Sequence, residues 1–168
     1  MVRVSRGLHM AVSAIPEGFG SVTPYLLIRN AWAAIAFYRE AFGAEELQHM
    51  PTPDGKIGHA AIKIENTQVM LAEECPDIGF FGPQALGGSS VSLIIYTDDV
   101  DTMFARALAA GAEELRPVEN HFYGDRAGTL RDPFGHIWTL ATHIEDVSNE
   151  ELEHRSEAFF KEQQIAQL

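Results

Sequence analysis

Short apolar strands and an amphipathic helix follow one another in the same order twice along this chain. From Val22 to Arg29 branched and aromatic residues predominate, which is a strand pattern. Asn30 is a candidate N-cap, and Trp32, Ile35, Ala36 and Phe42 mark one apolar face, so a helix is expected up to Phe42. Gly43 supplies its stop, because glycine takes the left-handed cap without a Cβ penalty. Leu47–Met50, His59–Ile64 and Val69–Ala72 read as three further strands, broken by the Pro51–Gly55 and Glu65-Asn66-Thr67 turns. The β-α-β-β-β order then returns. Ser90–Thr97 is a strand, Asp98 or Asp99 caps a helix that buries Val100, Met103, Phe104 and Leu108, and Gly111 ends it. Glu114–Val118, Ala127–Arg131 and Ile137–Thr142 complete the second set, with Asp132-Pro133-Phe134-Gly135 as the last hairpin turn.

The two halves also share residues. Gly43-Ala44-Glu45-Glu46-Leu47 returns 68 positions later as Gly111-Ala112-Glu113-Glu114-Leu115, and the same offset sets Val69–Ala72 against Ile137–Leu140. Asn30 matches Asp99 at 69, a slip of one residue inside the helix. A unit used twice in one chain tends to bury its apolar faces against its copy. The expected organisation is α+β: one domain over 19–147, with a first module over about 21–75, a Gly/Pro-rich linker over 76–89 and a second module over about 90–147. Ser148-Asn149-Glu150-Glu151 has capping-box spacing and opens a helix expected to run through 148–168, with Leu152, Phe159 and Phe160 near one face. Residues 1–18 read as a disordered leader outside the fold, with Met10 a candidate natural start.

Composition narrows the partners. Twelve Lys and Arg against 24 Asp and Glu give a net charge of −12, which argues against nucleic acid or an anionic membrane surface. No apolar run approaches a membrane span. Cys75 is the single cysteine, so no intrachain disulfide can form, and a reducing cytoplasm is the expected compartment.

Thr23-Pro24-Tyr25-Leu26, the run Ala34–Ala44 with Phe37-Tyr38 inside it, and Gly124-Asp125-Arg126 leading to Asp132-Pro133-Phe134-Gly135-His136-Ile137-Trp138 carry a resemblance. With paired β-α-β-β-β units of this length, the stretch from Ser21 to about Asp146 resembles the vicinal oxygen chelate superfamily of glyoxalases, bleomycin-resistance proteins and dioxygenases, in its PhnB-like branch. The resemblance implies two cupped mixed sheets, usually completed in a homodimer. In metal-using members, ligands stand near the middle of the first and last strand of each module. Counted onto this sequence, those positions are Thr23, Leu71, Ser92 and Thr139. None suits a catalytic divalent ion, which prefers imidazole, carboxylate or thiolate. No metal or other cofactor is therefore expected, with a divalent metal at a displaced site as the alternative.

Strand alternation names the lining of the cup. If Thr139 points inward, so do Ile137, Ala141 and His143, and by the same parity Thr23, Tyr25 and Leu27, then Val69, Leu71 and Glu73, then Ser92, Ile94 and Tyr96. An apolar bowl with a few polar groups suits a small organic molecule. His143 is the candidate acid or base, with rim hydrogen bonding as the bland reading. Glu73 is a candidate base or displaced ligand beside His143, with His59 or His121 as recruits, or else a solvated strand end. Asp125 and Arg126 are expected to pair and fix a loop, unless Arg126 offers its fork to an acidic ligand. His136, Trp138 and Trp32 read as packing residues, and Cys75 lacks the positive neighbours that activate a thiolate. No phosphate loop, G-x-S-x-G or H-E-x-x-H occurs.

Two functions remain open at this point. One is metal-free binding of a small apolar or aromatic molecule by a homodimer, in the manner of bleomycin-resistance proteins. The other is a glyoxalase-like lyase or isomerase, or a dioxygenase, using a displaced metal or His143. A structural dimer with a self-filled cup is a weaker third.

Overall fold

The computed structural model describes residues 12–166; the expected leader falls, over 1–11, outside them, as do the last two positions of the expected C-terminal helix. The first module runs β1 (Tyr25–Ile28), α1 (Ala31–Phe42), β2 (Glu45–Pro51), β3 (Ile57–Ile64) and β4 (Thr67–Glu73). A single 3-10 turn (Pro76–Ile78) and one helical turn, α2 (Pro83–Leu86), lead to the second: β5 (Ser92–Tyr96), α3 (Val100–Ala109), β6 (Glu113–Asn120), β7 (Asp125–Arg131) and β8 (Ile137–His143). Helix α4 (Asn149–Ala166) follows. Each module is a four-stranded mixed sheet, in the orders β1-β4-β3-β2 and β5-β8-β7-β6. The first strand of each module pairs parallel to the last, and the remaining pairs are antiparallel.

One core serves both modules. Leu26, Ile28, Ile62, Leu71, Tyr38 and Phe42 of the first form a continuous buried cluster with Phe104, Leu130, Trp138 and Leu140 of the second. Helices α1 and α3 pack on each other and on the sheets, so each sheet has one face covered by helix. The opposite faces stay open, with Tyr25, Ile94 and Tyr96 about half exposed or more. β1 begins later than the Val22 expected from composition, because Pro24 has no N–H to place in the ladder.

The helix starts explain a correction. Asn30 takes a left-handed conformation (φ 69°) and accepts from the Ala33 amide. The Glu73 carboxylate accepts the Asn30 and Ala31 amides, each at 2.9 Å. In the second module Asp99 accepts the Thr102 amide at 3.0 Å, and the Thr142 hydroxyl accepts the Val100 amide at 3.0 Å. Glu73 and Thr142 thus do the same task 69 positions apart. It follows that Glu73→Ala should weaken α1 by about 1–2 kcal/mol, the usual scale for losing an N-terminal acceptor. Urea unfolding against Glu73→Gln, which keeps one acceptor oxygen, would check this.

The offset of 68 seen at the Gly-Ala-Glu-Glu-Leu copies therefore holds only in the middle of each module. α1 has 12 residues and is capped by Gly43, whereas α3 has 10 and Ala110 caps it before Gly111, a net loss of one residue that sets the two glycines and β2/β6 and β3/β7 at 68. The last hairpin restores 69. Residues 64–67 separate the paired Lys63 and Gln68, whereas the longer turn 132–136 separates Arg131 and Ile137. Thr139 consequently corresponds to Met70, not Leu71. Val69 and Leu71 are buried under the helices with Trp138 and Leu140, and Glu73 lies on that same side. The expectation that Val69, Leu71 and Glu73 line the cup is overturned; Met70 and Ala72, paired with Tyr25 and Leu27, lie on its face.

The linker is more ordered than its composition implies. Cys75 and Phe80 exchange backbone hydrogen bonds at 2.8 and 3.1 Å, and the Gly82 amide donates to Glu74, which also holds Arg29 at 2.6 Å. Gln84 donates to the Pro133 carbonyl at 3.0 Å, tying α2 to the second module. At α4 the Ser148 hydroxyl accepts the Glu151 amide, but the reciprocal arm is missing because the Glu151 carboxylate takes Arg155 at 2.7 Å. Arg155 also forks onto Glu145, and Phe159 packs on Phe122 with ring centres 5.0 Å apart, so α4 docks on its own chain. Among the described residues no helix is long and apolar enough to cross a membrane.

Candidate functional site on the open face of the second sheet

The chemistry gathers where β7 begins and β8 ends. Antiparallel pairing sets Asp125 opposite His143, Ala127 opposite Ala141 and Thr129 opposite Thr139, and parallel pairing adds Ile94 and Tyr96 to the same face. Asp125 is buried, and its two carboxylate oxygens are shared between two neighbours. Tyr96 donates its hydroxyl to Oδ2 at 2.8 Å, and His143 Nδ1 meets Oδ1 at 2.7 Å. The other imidazole nitrogen, Nε2, lies 3.0 Å from Asp146, whose side chain is fully exposed. A small cavity of about 300 Å³ opens against this end, lined by Tyr96, Thr142 and His143 with Glu65, Thr97 and Asp98. Farther along the face, the Thr129 and Thr139 hydroxyls bond each other at 3.1 Å.

These contacts set the protonation of the cluster. The hydrogen bonds to Asp125 and Asp146 raise the His143 pKa above its ordinary value, so the imidazolium is favoured. The Tyr96 phenol is raised by its hydrogen bond to Asp125 and by burial, which keeps it neutral and donating. Tyr123, stacked on His121 with ring centres 5.0 Å apart, is raised by burial and then by the Asp125 charge. NMR titration should place the His143 midpoint above the ordinary value of about 6.5. Asp125→Asn should lower it. Because the folded value is raised, the stability this pairing contributes is present below about pH 6.5 and fades as pH rises through the folded midpoint.

Tyr96, Thr139 and His143 thus share one face, with Ser92 exposed at the start of β5. Thr23 precedes β1 and bonds the Gly20 carbonyl at 3.3 Å, outside any strand. Tyr25 stands on the first sheet, its hydroxyl 3.0 Å from His59 Nδ1. At the 69-residue offset it answers to Ile94, and Leu27 answers to Tyr96. Leu71 and Glu73 lie on the helix side of the other sheet, so Glu73 and His143 are not brought together. His121 Nε2 meets the Ala127 carbonyl at 3.2 Å. The expected Asp125–Arg126 pair does not form: Arg126 forks onto Asp101 at 2.6 and 2.7 Å, and Asp125 turns to the sheet face. Asp125 and Asp146 are the partners of His143 that sequence reasoning missed. Counting the hairpin register back from the 132–136 turn would have set Asp125 across from His143.

A divalent metal does not fit the positions the fold would use. With Met70 in place of Leu71, they are Thr23, Met70, Ser92 and Thr139, which offer no imidazole, carboxylate or thiolate. Both nitrogens of His143 are committed to carboxylates on opposite sides of the ring. Among the described residues, no three His, Cys, Asp or Glu side chains are grouped to hold an ion.

Two β-α-β-β-β modules, each with helix on one sheet face and the other face open, define the glyoxalase and bleomycin-resistance architecture. The Glyoxalase/Bleomycin resistance protein/Dioxygenase superfamily model matches residues 19–140, and the chain belongs to that superfamily. It is 38% identical over 151 residues to Rv0887c of Mycobacterium tuberculosis H37Rv, described as uncharacterized, covering 88% of this chain and 86% of that protein. The crystal structure of TioX from Micromonospora sp. ML1 is 25% identical with a TM-score of 0.59, covering 77% of this chain and all of that one (100%). The PhnB protein of Bacillus cereus shares the fold at 22% identity and a TM-score of 0.55, covering 73% of this chain and 99% of that one.

Proposed function

We propose that this chain binds a small apolar or aromatic molecule on the open face of the second sheet without a metal, and that a homodimer closes the cup over it. The observation that carries the reading is the state of that face. Ile94 and Tyr96 are 60% and 56% exposed although they sit in the middle and at the end of a sheet strand, and Tyr96 belongs to a hydrogen-bonded Tyr96–Asp125–His143 cluster whose carboxylate is buried. Apolar side chains gathered around a few fixed polar groups mark a binding surface. Apolar contact supplies affinity along Ile94 and Ile137. The His143 imidazolium supplies orientation: a ligand acceptor that displaces the exposed Asp146 carboxylate gains a charge-assisted hydrogen bond. The lone Cys75 supports a reducing, cytoplasmic setting.

Melting of chelator-treated protein against a set of small aromatic acids and phenols tests this. A binder should raise the melting temperature by several degrees in the presence of EDTA, since a ligand at 100 times its Kd stabilises by about 2.7 kcal/mol. Tyr96→Ala and His143→Ala should reduce the shift, and sedimentation should show a dimer. Stabilisation that appears only with added metal would overturn the reading.

The Tyr96–Asp125–His143 chain favours one alternative, a lyase or isomerase in which His143 transfers a proton. An imidazolium held by two carboxylates is suited to act first as an acid, and Asp146 has to release Nε2 before substrate can reach it. In that case His143→Ala would abolish turnover while leaving substantial ligand binding.

A further inference from the structure

Carboxylates hold the His143 ring on both sides, and the two are unlike. Nδ1 meets Asp125, which is buried in β7 and whose other oxygen takes the Tyr96 hydroxyl. Nε2 meets Asp146 at 3.0 Å, and that side chain is fully open to solvent. Ionised carboxylates only accept, so both ring nitrogens donate and the ring is an imidazolium. Among the described residues the Asp146 carboxylate makes no other hydrogen bond. The chain around it is fixed without it: the Ile144 and Glu145 amides donate to the Gly124 carbonyl, and Arg155 forks onto Glu145. A side-chain rotation alone therefore frees Nε2, at a position that solvent already reaches. An exposed ion pair contributes little stability, so the exchange costs little.

We infer that Asp146 is an intramolecular competitor standing where the carboxylate of the ligand goes, so that the site takes an organic acid with an apolar body. The inference rests on the reading of the second sheet's open face as the binding surface, and it names the class of ligand. Charge selects that class. Glu65 and Asp98 line the cavity beside His143, and Asp125 stays on Nδ1 whatever happens at Nε2. An added anion would be repelled there, but here one carboxylate moves out as another comes in. A neutral acceptor would instead strip the imidazolium of a counter-charge. Hydrocarbon tips the exchange: Asp146 brings none, whereas a ligand acid can lay an aromatic ring on the face that carries Ile94 and Tyr96. The tethered competitor also sets a threshold, since a ligand meets only the fraction of molecules whose Nε2 is free. An acid without an apolar body falls below it.

The test is an NMR titration of the full chain and of Asp146→Ala with 3-phenylpropionate, 3-phenylpropanamide and acetate, following the His143 ring. Asp146 is so exposed that folding is not at stake. In the free variant the His143 midpoint should fall toward its ordinary value. Adding 3-phenylpropionate should raise it again, which the amide cannot do. The acid should bind the variant about two- to five-fold more tightly than the wild type, the factor that an exposed ion pair supplies. It should bind both proteins several-fold more tightly than the amide or acetate. Binding should weaken as pH rises through the His143 midpoint, because the imidazolium is lost. Equal affinity for wild type and variant, an amide as tight as the acid, or a variant midpoint that the acid leaves unmoved would each overturn the proposal. Amide binding no weaker than the acid, with shifts at Ile94 and Tyr96, would sink this proposal and leave the sheet-face reading standing. No saturable shift with any of the three would sink both.

Discussion

Asp132→Ala should destabilise this protein by about 3–5 kcal/mol, the scale on which buried charge networks fail when one member is removed. The carboxylate side chain is fully enclosed and accepts four hydrogen bonds, from Tyr38, Trp138 and the Phe134 and His136 amides. Tyr38 belongs to α1 of the first module, whereas Trp138 stands in β8 of the second, so the loss strikes the joint between them. Alanine leaves four buried donors without acceptors. Against a typical total of about 5–15 kcal/mol, little margin would remain. Tyr38→Phe removes one bond and should cost about 1–2 kcal/mol. Asp132→Asn should fall between, because its NH2 faces the Trp138 N–H, which cannot accept. Urea unfolding of the three variants gives the order. Burial by itself raises the Asp132 pKa, but the nearby His136 and the Trp138 and Tyr38 bonds outweigh it and hold the group below the ordinary carboxylate range. A depressed folded value means that this stabilisation is complete above about pH 4 and is lost as pH falls through the folded pKa.

Gly124→Ala is expected to cost about 3 kcal/mol and also to disturb the site. Gly124 has φ +95°, a region that L side chains rarely adopt, and an added Cβ would collide with the Glu145 carbonyl oxygen. Conformational strain and crowding each carry about 1–3 kcal/mol. The obstacle is backbone, so no rotamer change relieves it. The same glycine carbonyl accepts the Ile144 and Glu145 amides at 2.9 and 3.0 Å. Relief has to come from moving 144–146 outward, which carries Asp146 away from His143. The variant should therefore melt earlier and show a His143 titration midpoint shifted toward its ordinary value. A stable variant with an unchanged midpoint would contradict this account of how the β7 start holds the cluster.

The architecture was legible because each element carried a local physical signal. Asn30, Gly43 and Asp99 terminate helices where caps were expected, and strand alternation named the open face of the second sheet. What failed depended on distant bookkeeping. The repeated Gly-Ala-Glu-Glu-Leu run gave an offset that one extra residue in the last hairpin turn invalidates for β4, and a one-residue slip flips a strand face for face. That single error moved Leu71 and Glu73 into the cup. The linker read as loop because Gly and Pro punctuate it, whereas its two short turns are fixed by tertiary bonds to Glu74 and Pro133. Asp125 looked like a loop residue beside an arginine; only pairing across β7 and β8 shows that it faces His143 and leaves Arg126 to Asp101.

Metal-free binding is most directly tested by calorimetric titration of chelator-treated protein with zinc, nickel, iron(II) and manganese salts. With Thr23, Met70, Ser92 and Thr139 where ligands would stand, none should bind stoichiometrically, and Thr139→Ala should leave the heats unchanged. One ion per chain held with a sub-micromolar Kd, and released by Thr139→Ala or His143→Ala, would contradict the account.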